Sequence, residues 1–129
     1  LEESLLALEN IFNKESQHYD YMALVQEYME PKRELRAAIA GGEFVFAYDR
    51  ESKEMIEGPL VERLEGMSKT ILEHVDLSWG ALDFIEDGTG DVYLLEVNTR
   101  PRFDGFISFD ARNQFKKLFR MGLKAKGLI

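Results

Sequence analysis

Two tight-turn signals constrain the fold of this chain more than any other feature of its sequence. The first is the pair Gly41-Gly42, which separates the apolar segments ELRAAIA and EFVFAYD. The second is the run DGTG at 87–90, which separates GALDFIE from DVYLLEVN. Short turns rich in Gly and Asp between apolar runs are typical of β-hairpins. Strands joined by such short turns pair antiparallel, so we expect an antiparallel sheet.

Helical patterns surround the two predicted hairpins. Apolar residues recur at helical spacing in residues 1–12, in residues 57–75 and again after Asp110. Residues 21–29, YMALVQEYM, are rich in Val, Leu and Tyr, and they predict a strand that ends near Pro31. The predicted order is helix, strand, hairpin, helix, hairpin, helix. This order indicates an α+β fold in which helices pack on an antiparallel sheet.

Composition limits the domain organisation and the classes of partner. The chain has 129 residues, of which 45% are hydrophobic and 12% aromatic, as is typical of a globular fold. We expect one domain over 1–129, and because Leu1 already lies in a helical pattern we expect a fragment of a longer chain. The net charge of -8 argues against nucleic acid or an anionic membrane as the main partner. The sequence has no cysteine, which excludes a disulfide framework and fits a cytoplasmic protein. No apolar run approaches the ~20 residues of a membrane span.

The end of the last predicted strand is unexpectedly polar. The run VYLLEVN places Glu96 and Asn98 at the end of the most apolar strand, although charged groups are rarely buried without a partner or a metal. If Gly88 and Thr89 form the centre of the turn, Asp83 lies opposite Leu94 and shares a face with Glu96 and Asn98. Clustered carboxylate and amide oxygens suit Mg²⁺ or Mn²⁺.

Spacing alone leaves a second interpretation of these residues open. Glu96 and Asn98 could simply end the strand and form caps and a turn before Pro101. The metal interpretation also depends on the turn assignment, because a register shift of one residue would move Asp83 to the other face.

Three motifs together resemble a known family. LLEVNTRP follows GALDFIEDG, and LVQEYMEPKRELRAAIAGGEFVFAY precedes both. In this order they resemble the C-terminal lobe of the ATP-grasp carboxylate–amine ligases, in particular ribosomal-protein glutamate ligase and relatives of D-alanine–D-alanine ligase. The resemblance covers roughly residues 20 to 106 and implies that residues 1–129 form one such lobe.

The resemblance implies a set of metal ligands and a nucleotide. Asp83, Glu96 and Asn98 match the residues that hold the magnesium ions bridging the ATP phosphates in such enzymes. Glu96 would bridge two ions. The expected cofactors are therefore ATP and Mg²⁺ or Mn²⁺, with two metal ions.

The segment before the first hairpin resembles the link between the two lobes of these enzymes. Glu27 and Tyr28 stand where the backbone pairs with adenine, Met29 is expected under the ring, and Glu34 near the ribose. The alternative for Glu27 is an exposed charge at a strand edge without a chemical role, which is common for single strand-edge residues.

Two arginines complete the expected site. Arg36 follows Glu34 by two positions and so shares its face, and by resemblance it points toward the phosphate or acyl-phosphate region. Arg100, two residues after Asn98 and just past the predicted strand VYLLEVN, could act likewise. A planar guanidinium can hold a phosphoryl or carboxylate group with two hydrogen bonds.

The resemblance implies an ATP-dependent ligase that activates a carboxylate as an acylphosphate, which an amine then attacks. Its expected partners are ATP and small-molecule or peptide carboxylate and amine substrates. The family's N-terminal substrate domain and lysine-bearing small lobe are not in this sequence, and the segment 49–58 is shorter than usual. The isolated chain is therefore expected to need a missing N-terminal lobe or a homo-oligomeric partner. Alternatives are a non-catalytic ATP- and Mg-binding module and a metal-binding α+β domain without nucleotide.

Overall fold

The computed structural model of the protein describes residue 3 and residues 26–103, 109–125 and 127–129. Its elements, in chain order, are β1 (Pro31–Ala40), β2 (Glu43–Asp49), α1 (Pro59–Leu72), β3 (Trp79–Asp87), β4 (Val92–Asn98) and α2 (Phe109–Ala125). The four strands form one antiparallel sheet in the order β2-β1-β3-β4. The predicted α+β class, both hairpins and the two later helices are confirmed.

The first hairpin has the predicted turn. Gly41 and Gly42 connect β1 to β2 with φ values of 67° and 80°. Backbone in this left-handed region strains residues that carry a Cβ, so two glycines suit the turn. The hairpin joins the rest of the sheet through the pairing of β1 with β3, and the Gly41 N–H adds a bond to the Ser78 carbonyl at 2.7 Å.

The second hairpin differs from the prediction in two ways. The Asp87 N–H donates to the Asp91 carbonyl at 2.9 Å, so the loop has three residues, 88–90, instead of two. The register also shifts within the hairpin, because Phe84 pairs with Leu94 whereas Asp83 pairs with Glu96. Leu95 is the extra residue of this bulge, and the predicted pairing of Asp83 with Leu94 was wrong.

An Asp side chain stabilises the loop of the second hairpin. Asp87 Oδ1 accepts hydrogen bonds from the Thr89 N–H at 2.9 Å, the Thr89 hydroxyl at 2.7 Å and the Asp91 N–H at 3.0 Å. These bonds, the hydroxyl of Thr89 first, lower the pKa of Asp87 below its ordinary value of 3.8.

Each face of the sheet is covered by one helix. α1 begins with Pro59 in its first turn and buries Leu64 against the face formed by Leu35, Leu82 and Phe84. α2 covers the opposite face, where Phe115 lies against Phe46 and Trp79, with ring centroids 5.7 Å and 4.5 Å away. In the described part of the chain, no helix is long and apolar enough to span a membrane.

The segment before β1 does not form the predicted strand where it is described. Residues 26–30 adopt neither helix nor strand, so the strand predicted over 21–29 is wrong for 26–29, and 21–25 lie outside the described residues. Strand propensity depends on pairing, and no strand of the described sheet pairs with residues 26–30. Of the predicted helix over 1–12, only Glu3 is described, and it is helical.

Candidate functional site

A row of polar side chains crosses all four strands on the face that α2 covers. Tyr48 of β2 pairs with Arg36 of β1, Arg36 pairs with Asp83 of β3, and Asp83 pairs with Glu96 of β4. Directly paired residues of neighbouring strands project from the same face. We refer to these four residues as the polar row. It lies next to the aromatic cluster around Phe115.

The centre of the polar row is a buried ion pair. Arg36 Nε donates to Asp83 Oδ1 at 2.6 Å, and Arg36 Nη2 donates to Asp83 Oδ2 at 2.8 Å. The two residues are only 6% and 1% exposed. The planar guanidinium thus binds both carboxylate oxygens at once, the strongest geometry available to such a pair.

The surroundings of Arg36 hold its guanidinium in place. Its Nη1 donates to the Arg102 carbonyl at 3.1 Å, which ties the segment after β4 to the sheet. The hydrogen bond with Asp83 raises the pKa of Arg36, although burial opposes this. Burial raises the pKa of the adjacent Tyr48, and the charge of Arg36 partly offsets that rise. The centre of the row therefore holds a charged arginine and a neutral tyrosine at neutral pH.

The residues predicted as metal ligands share this face. Glu96 lies directly opposite Asp83, and Asn98 pairs with Ala81, two positions from Asp83 along β3. Glu96 is exposed and Asn98 half-buried. Asn98 Oδ1 accepts the backbone N–H of Arg100 at 3.0 Å, which is the turn contact expected from the alternative interpretation of this residue.

The chemistry of these donors fits a hard divalent cation. Two carboxylates on directly paired residues, with an amide two pairs further along on the same face, supply the oxygen ligands that Mg²⁺ and Mn²⁺ prefer. Among the described residues, no group of three or more His, Asp or Glu side chains is placed to hold a metal ion. Both oxygens of Asp83 already accept hydrogen bonds from Arg36. Any cation at this position must therefore share Asp83 with Arg36 or replace it.

Close approach of the backbone fixes the end of β4. A Cβ atom on Gly80 would lie 2.6 Å from the Asn98 carbonyl oxygen and 2.8 Å from Leu77 Cδ1. The Leu77 side chain could shift, but the Asn98 carbonyl is backbone and cannot do so as easily, so glycine at position 80 allows β4 to reach its position. Gly80 is a residue of the site that sequence reasoning missed, and the tight backbone contact that requires it is set by tertiary structure.

The residues predicted to contact the nucleotide base and ribose lie outside the polar row. Glu27 and Tyr28 are exposed, Tyr28 by 83%, whereas Met29 is half-buried. Glu34 is on the same face as Arg36, two positions earlier in β1, and its Oε2 accepts a hydrogen bond from Arg50 Nη1 at 3.1 Å.

Comparison with solved structures finds ATP-grasp ligases. A Chryseobacterium gregarium RiPP-associated ATP-grasp ligase, in complex with ADP and a leader and core peptide, matches 78% of this chain and 35% of its own, with a TM-score of 0.58 and 19% identity. The ATP-grasp ligase PsnB, complexed with minimal precursor, Mg and ADP, matches 75% of this chain and 34% of its own, with a TM-score of 0.53 and 17% identity. N5-carboxyaminoimidazole ribonucleotide synthetase from Thermotoga maritima matches 84% of this chain and 33% of its own, with a TM-score of 0.58 and 13% identity.

These similarities concern the fold. No family model and no curated protein sequence matches the chain. The chain spans about a third of the length of the three ligases. The resemblance to part of an ATP-grasp ligase, which the sequence motifs predicted, is confirmed at the level of the fold.

Proposed function

We propose that this chain is the nucleotide- and metal-binding part of an ATP-dependent carboxylate–amine ligase. In the proposed reaction, the γ-phosphoryl group of ATP passes to a substrate carboxylate, ADP leaves, and an amine then displaces phosphate from the acylphosphate. The bond formed is a peptide-like C–N bond. The rest of the site belongs to an N-terminal lobe or to a partner molecule, which the chain would need for activity.

The polar row carries this proposal. Phosphoryl transfer is catalysed chiefly by positioning and by neutralising charge on the phosphates, and it requires no nucleophilic side chain. The exposed Glu96 lies directly opposite the buried Asp83, whose carboxylate is bonded to the guanidinium of Arg36. This combination suits a bound metal–polyphosphate better than it suits acid–base chemistry.

Each predicted site residue has a proposed role. Asp83, Glu96 and Asn98 would hold the metal ions, and Glu96 would bridge two of them. When bound, Mg²⁺ or Mn²⁺ would neutralise the charge of the ATP phosphates. Arg36 and Arg100 would bind the phosphoryl or carboxylate group.

The nucleotide base and ribose would be bound by the segment that leads into β1. The described residues 26–30 are free of regular structure and largely exposed, so their backbone groups are open to an adenine edge. Glu27 and Tyr28 would supply this backbone contact and Met29 an apolar one. Glu34, on the same face of β1 as Arg36, would lie near the ribose.

The substrate class is proposed from the related structures. One of them is a complex with a leader and core peptide, another is a complex with minimal precursor, and the third is a ribonucleotide synthetase. We therefore propose a peptide or small-molecule carboxylate and an amine as substrates.

The decisive experiment removes the charge of Glu96 and measures how far Mg-ATP stabilises the protein against unfolding. A ligand at 100 times its Kd adds about 2.7 kcal/mol to the free energy of unfolding, which raises the Tm measurably. We expect Mg-ATP to raise the Tm of the wild type and not that of Glu96→Gln. Glu43→Gln is the matched control, because Glu43 is also an exposed glutamate of an edge strand but lies on β2, at the opposite edge of the sheet from Glu96.

The outcomes separate the two interpretations of Glu96. If Mg-ATP stabilises Glu96→Gln as much as Glu43→Gln, Glu96 is a strand-end residue and the proposal fails. The same titration with a chelator in place of Mg²⁺ should abolish stabilisation of the wild type, because acidic ligands alone repel a polyphosphate.

A second candidate is a nucleotide-binding module without catalysis. It is favoured by the ion pair between Arg36 and Asp83. Arg36 Nε and Nη2 both donate to Asp83, so this edge of the guanidinium is not open to a phosphoryl group. Release of ADP in the presence of carboxylate and amine substrates distinguishes a ligase from such a module.

A further inference from the structure

We propose that Arg36 and a divalent cation are alternative partners of Asp83, so that metal binding releases the arginine from the carboxylate. In the metal-free protein the guanidinium takes the place of the cation. The freed guanidinium is then available to an anionic group of the bound ligand. This inference rests on the proposed function, because it assumes that Asp83 is a metal ligand.

The first observation is the geometry of the ion pair. Arg36 occupies both carboxylate oxygens of Asp83, through Nε at 2.6 Å and Nη2 at 2.8 Å. These in-plane positions are the ones that a carboxylate offers most readily to either a guanidinium or a metal ion. A cation that used them would displace at least one of the two hydrogen bonds.

The second observation is the burial of Asp83. Its side chain is 1% exposed, and a carboxylate at such a position needs a cation close by. Glu96, directly opposite, is exposed and adds a second negative charge. Without metal, only the charge of Arg36 balances Asp83 within the polar row. When a metal is bound, its charge can balance that of Asp83 in place of Arg36.

The third observation is that Asp83 is not the sole neighbour of the Arg36 guanidinium. Its Nη1 donates to the Arg102 carbonyl at 3.1 Å, and Tyr48 lies beside it as its strand partner. Both groups are oxygen-bearing and remain near the guanidinium. These oxygens are therefore within reach of the guanidinium when its bonds to Asp83 break.

A rival arrangement keeps Arg36 on Asp83 throughout. An ionised carboxylate has about four lone-pair positions, so a metal could use those that the arginine leaves free. Arg36 would then orient the ligand, as groups that hydrogen-bond to metal ligands commonly do. Loss of such a group typically weakens metal binding about 10–100-fold.

The two arrangements predict opposite changes in metal affinity, measured without nucleotide. We would titrate the protein with Mn²⁺ and measure free Mn²⁺ by electron paramagnetic resonance. Arg36→Gln removes a cation that competes for Asp83 and repels the metal, so we expect the Mn²⁺ affinity to rise about tenfold or more. An affinity that falls or stays the same overturns the proposal.

Arg33→Gln is the matched control. Arg33 is also in β1 and its Nε donates to a β3 carboxylate, that of Glu86, at 2.6 Å, but it lies next to Lys32 and away from the polar row. We expect Arg33→Gln to leave Mn²⁺ affinity unchanged. A similar rise in both variants would reflect net charge alone and would also overturn the proposal.

A measurement on the wild type covers the case in which Arg36→Gln does not fold. The Nε–H proton of Arg36 gives its own signal in nitrogen-edited NMR spectra, and its short hydrogen bond to Asp83 should shift that signal downfield. We expect the signal to move upfield when Mg²⁺ and ADP are added together. A signal that keeps its position while other residues of the row respond overturns the proposal.

Failure of the proposed function gives a different result. If the wild type binds neither Mn²⁺ nor Mg-ATP, the metal role of Asp83 and Glu96 is wrong, and the arginine proposal is wrong with it. If the wild type binds both, and Glu96→Gln weakens them while Arg36→Gln does not tighten Mn²⁺, only the exchange of partners is wrong.

Discussion

The ion pair between Arg36 and Asp83 makes a quantitative prediction about stability. Their charge centres are about 4 Å apart, which corresponds to an attraction of about 4 kcal/mol at an effective dielectric constant near 20. Both side chains are almost completely buried, at 7% and 1% exposed, so their desolvation is not relieved by water. Arg36→Met leaves the Asp83 carboxylate buried without its partner, and we expect a loss of about 3–5 kcal/mol in the free energy of unfolding.

The double variant distinguishes pairing from simple burial. Asp83→Leu alone should cost a similar amount, because it leaves the guanidinium buried and unpaired. Arg36→Met combined with Asp83→Leu removes both charges, and we expect it to be far less destabilised than the sum of the single variants. Urea unfolding followed by circular dichroism measures all four proteins, and an unchanged m-value shows that the unfolding reaction is the same.

The pair of Glu34 and Arg50 is the control for this cycle. It has a comparable contact of 3.1 Å, but its side chains are 47% and 38% exposed. Exposed ion pairs contribute about 0–1 kcal/mol, so this second cycle should show little coupling. Additive effects in the Arg36 and Asp83 cycle, or equal coupling in both cycles, would refute the reasoning from burial.

Two further predictions concern the backbone and the loop of the second hairpin. Gly80→Ala should destabilise the protein by about 1–3 kcal/mol and weaken stabilisation by Mg-ATP, because its Cβ would push on the backbone of Asn98. Gly66→Ala is the control. The space around Gly66 is open, and alanine there should stabilise α1 by about 0.5–1 kcal/mol. Equal melting temperatures for the two variants would contradict this. Thr89→Ala removes the largest contribution to the lowered pKa of Asp87, so the variant should be less stable than the wild type at pH 7. The difference should shrink as the pH falls below 3.8 and through the pKa of Asp87 in the folded protein. Thr89→Ser should behave as the wild type, and a pH-independent difference for Thr89→Ala would exclude this mechanism.

Sequence predicted the hairpins because their signals are local. The Gly41-Gly42 turn and the apolar runs beside it determine which segments pair. The register of the second hairpin was predicted less well. Its loop is one residue longer than expected, and the bulge at Leu95 adds one more. Together they move the partner of Asp83 by two residues, from Leu94 to Glu96. Side chains alternate faces, so a shift of two leaves Asp83 on the same face as Glu96.

The contacts that sequence could not predict are those between distant segments. No pattern in the sequence indicates that β1 and β3 are neighbours, and the pairing of Arg36 with Asp83 follows from that adjacency. The arginine was expected to point toward a phosphate, and its bond to a carboxylate was not predicted. Residues 26–29 have strand-forming side chains but no described strand beside them, and propensity without pairing did not produce a strand.

The strand order β2-β1-β3-β4 also has a consequence for how the protein folds. Each hairpin closes over a short loop, whereas the contact between Arg36 and Asp83 joins residues 47 positions apart. The entropy lost on closing a loop grows with its length, so we expect both hairpins to form before they dock on each other. The polar row is complete only after that docking. Binding of a ligand to the row would therefore select molecules that have finished folding, and it would slow unfolding most when the two hairpins begin to separate.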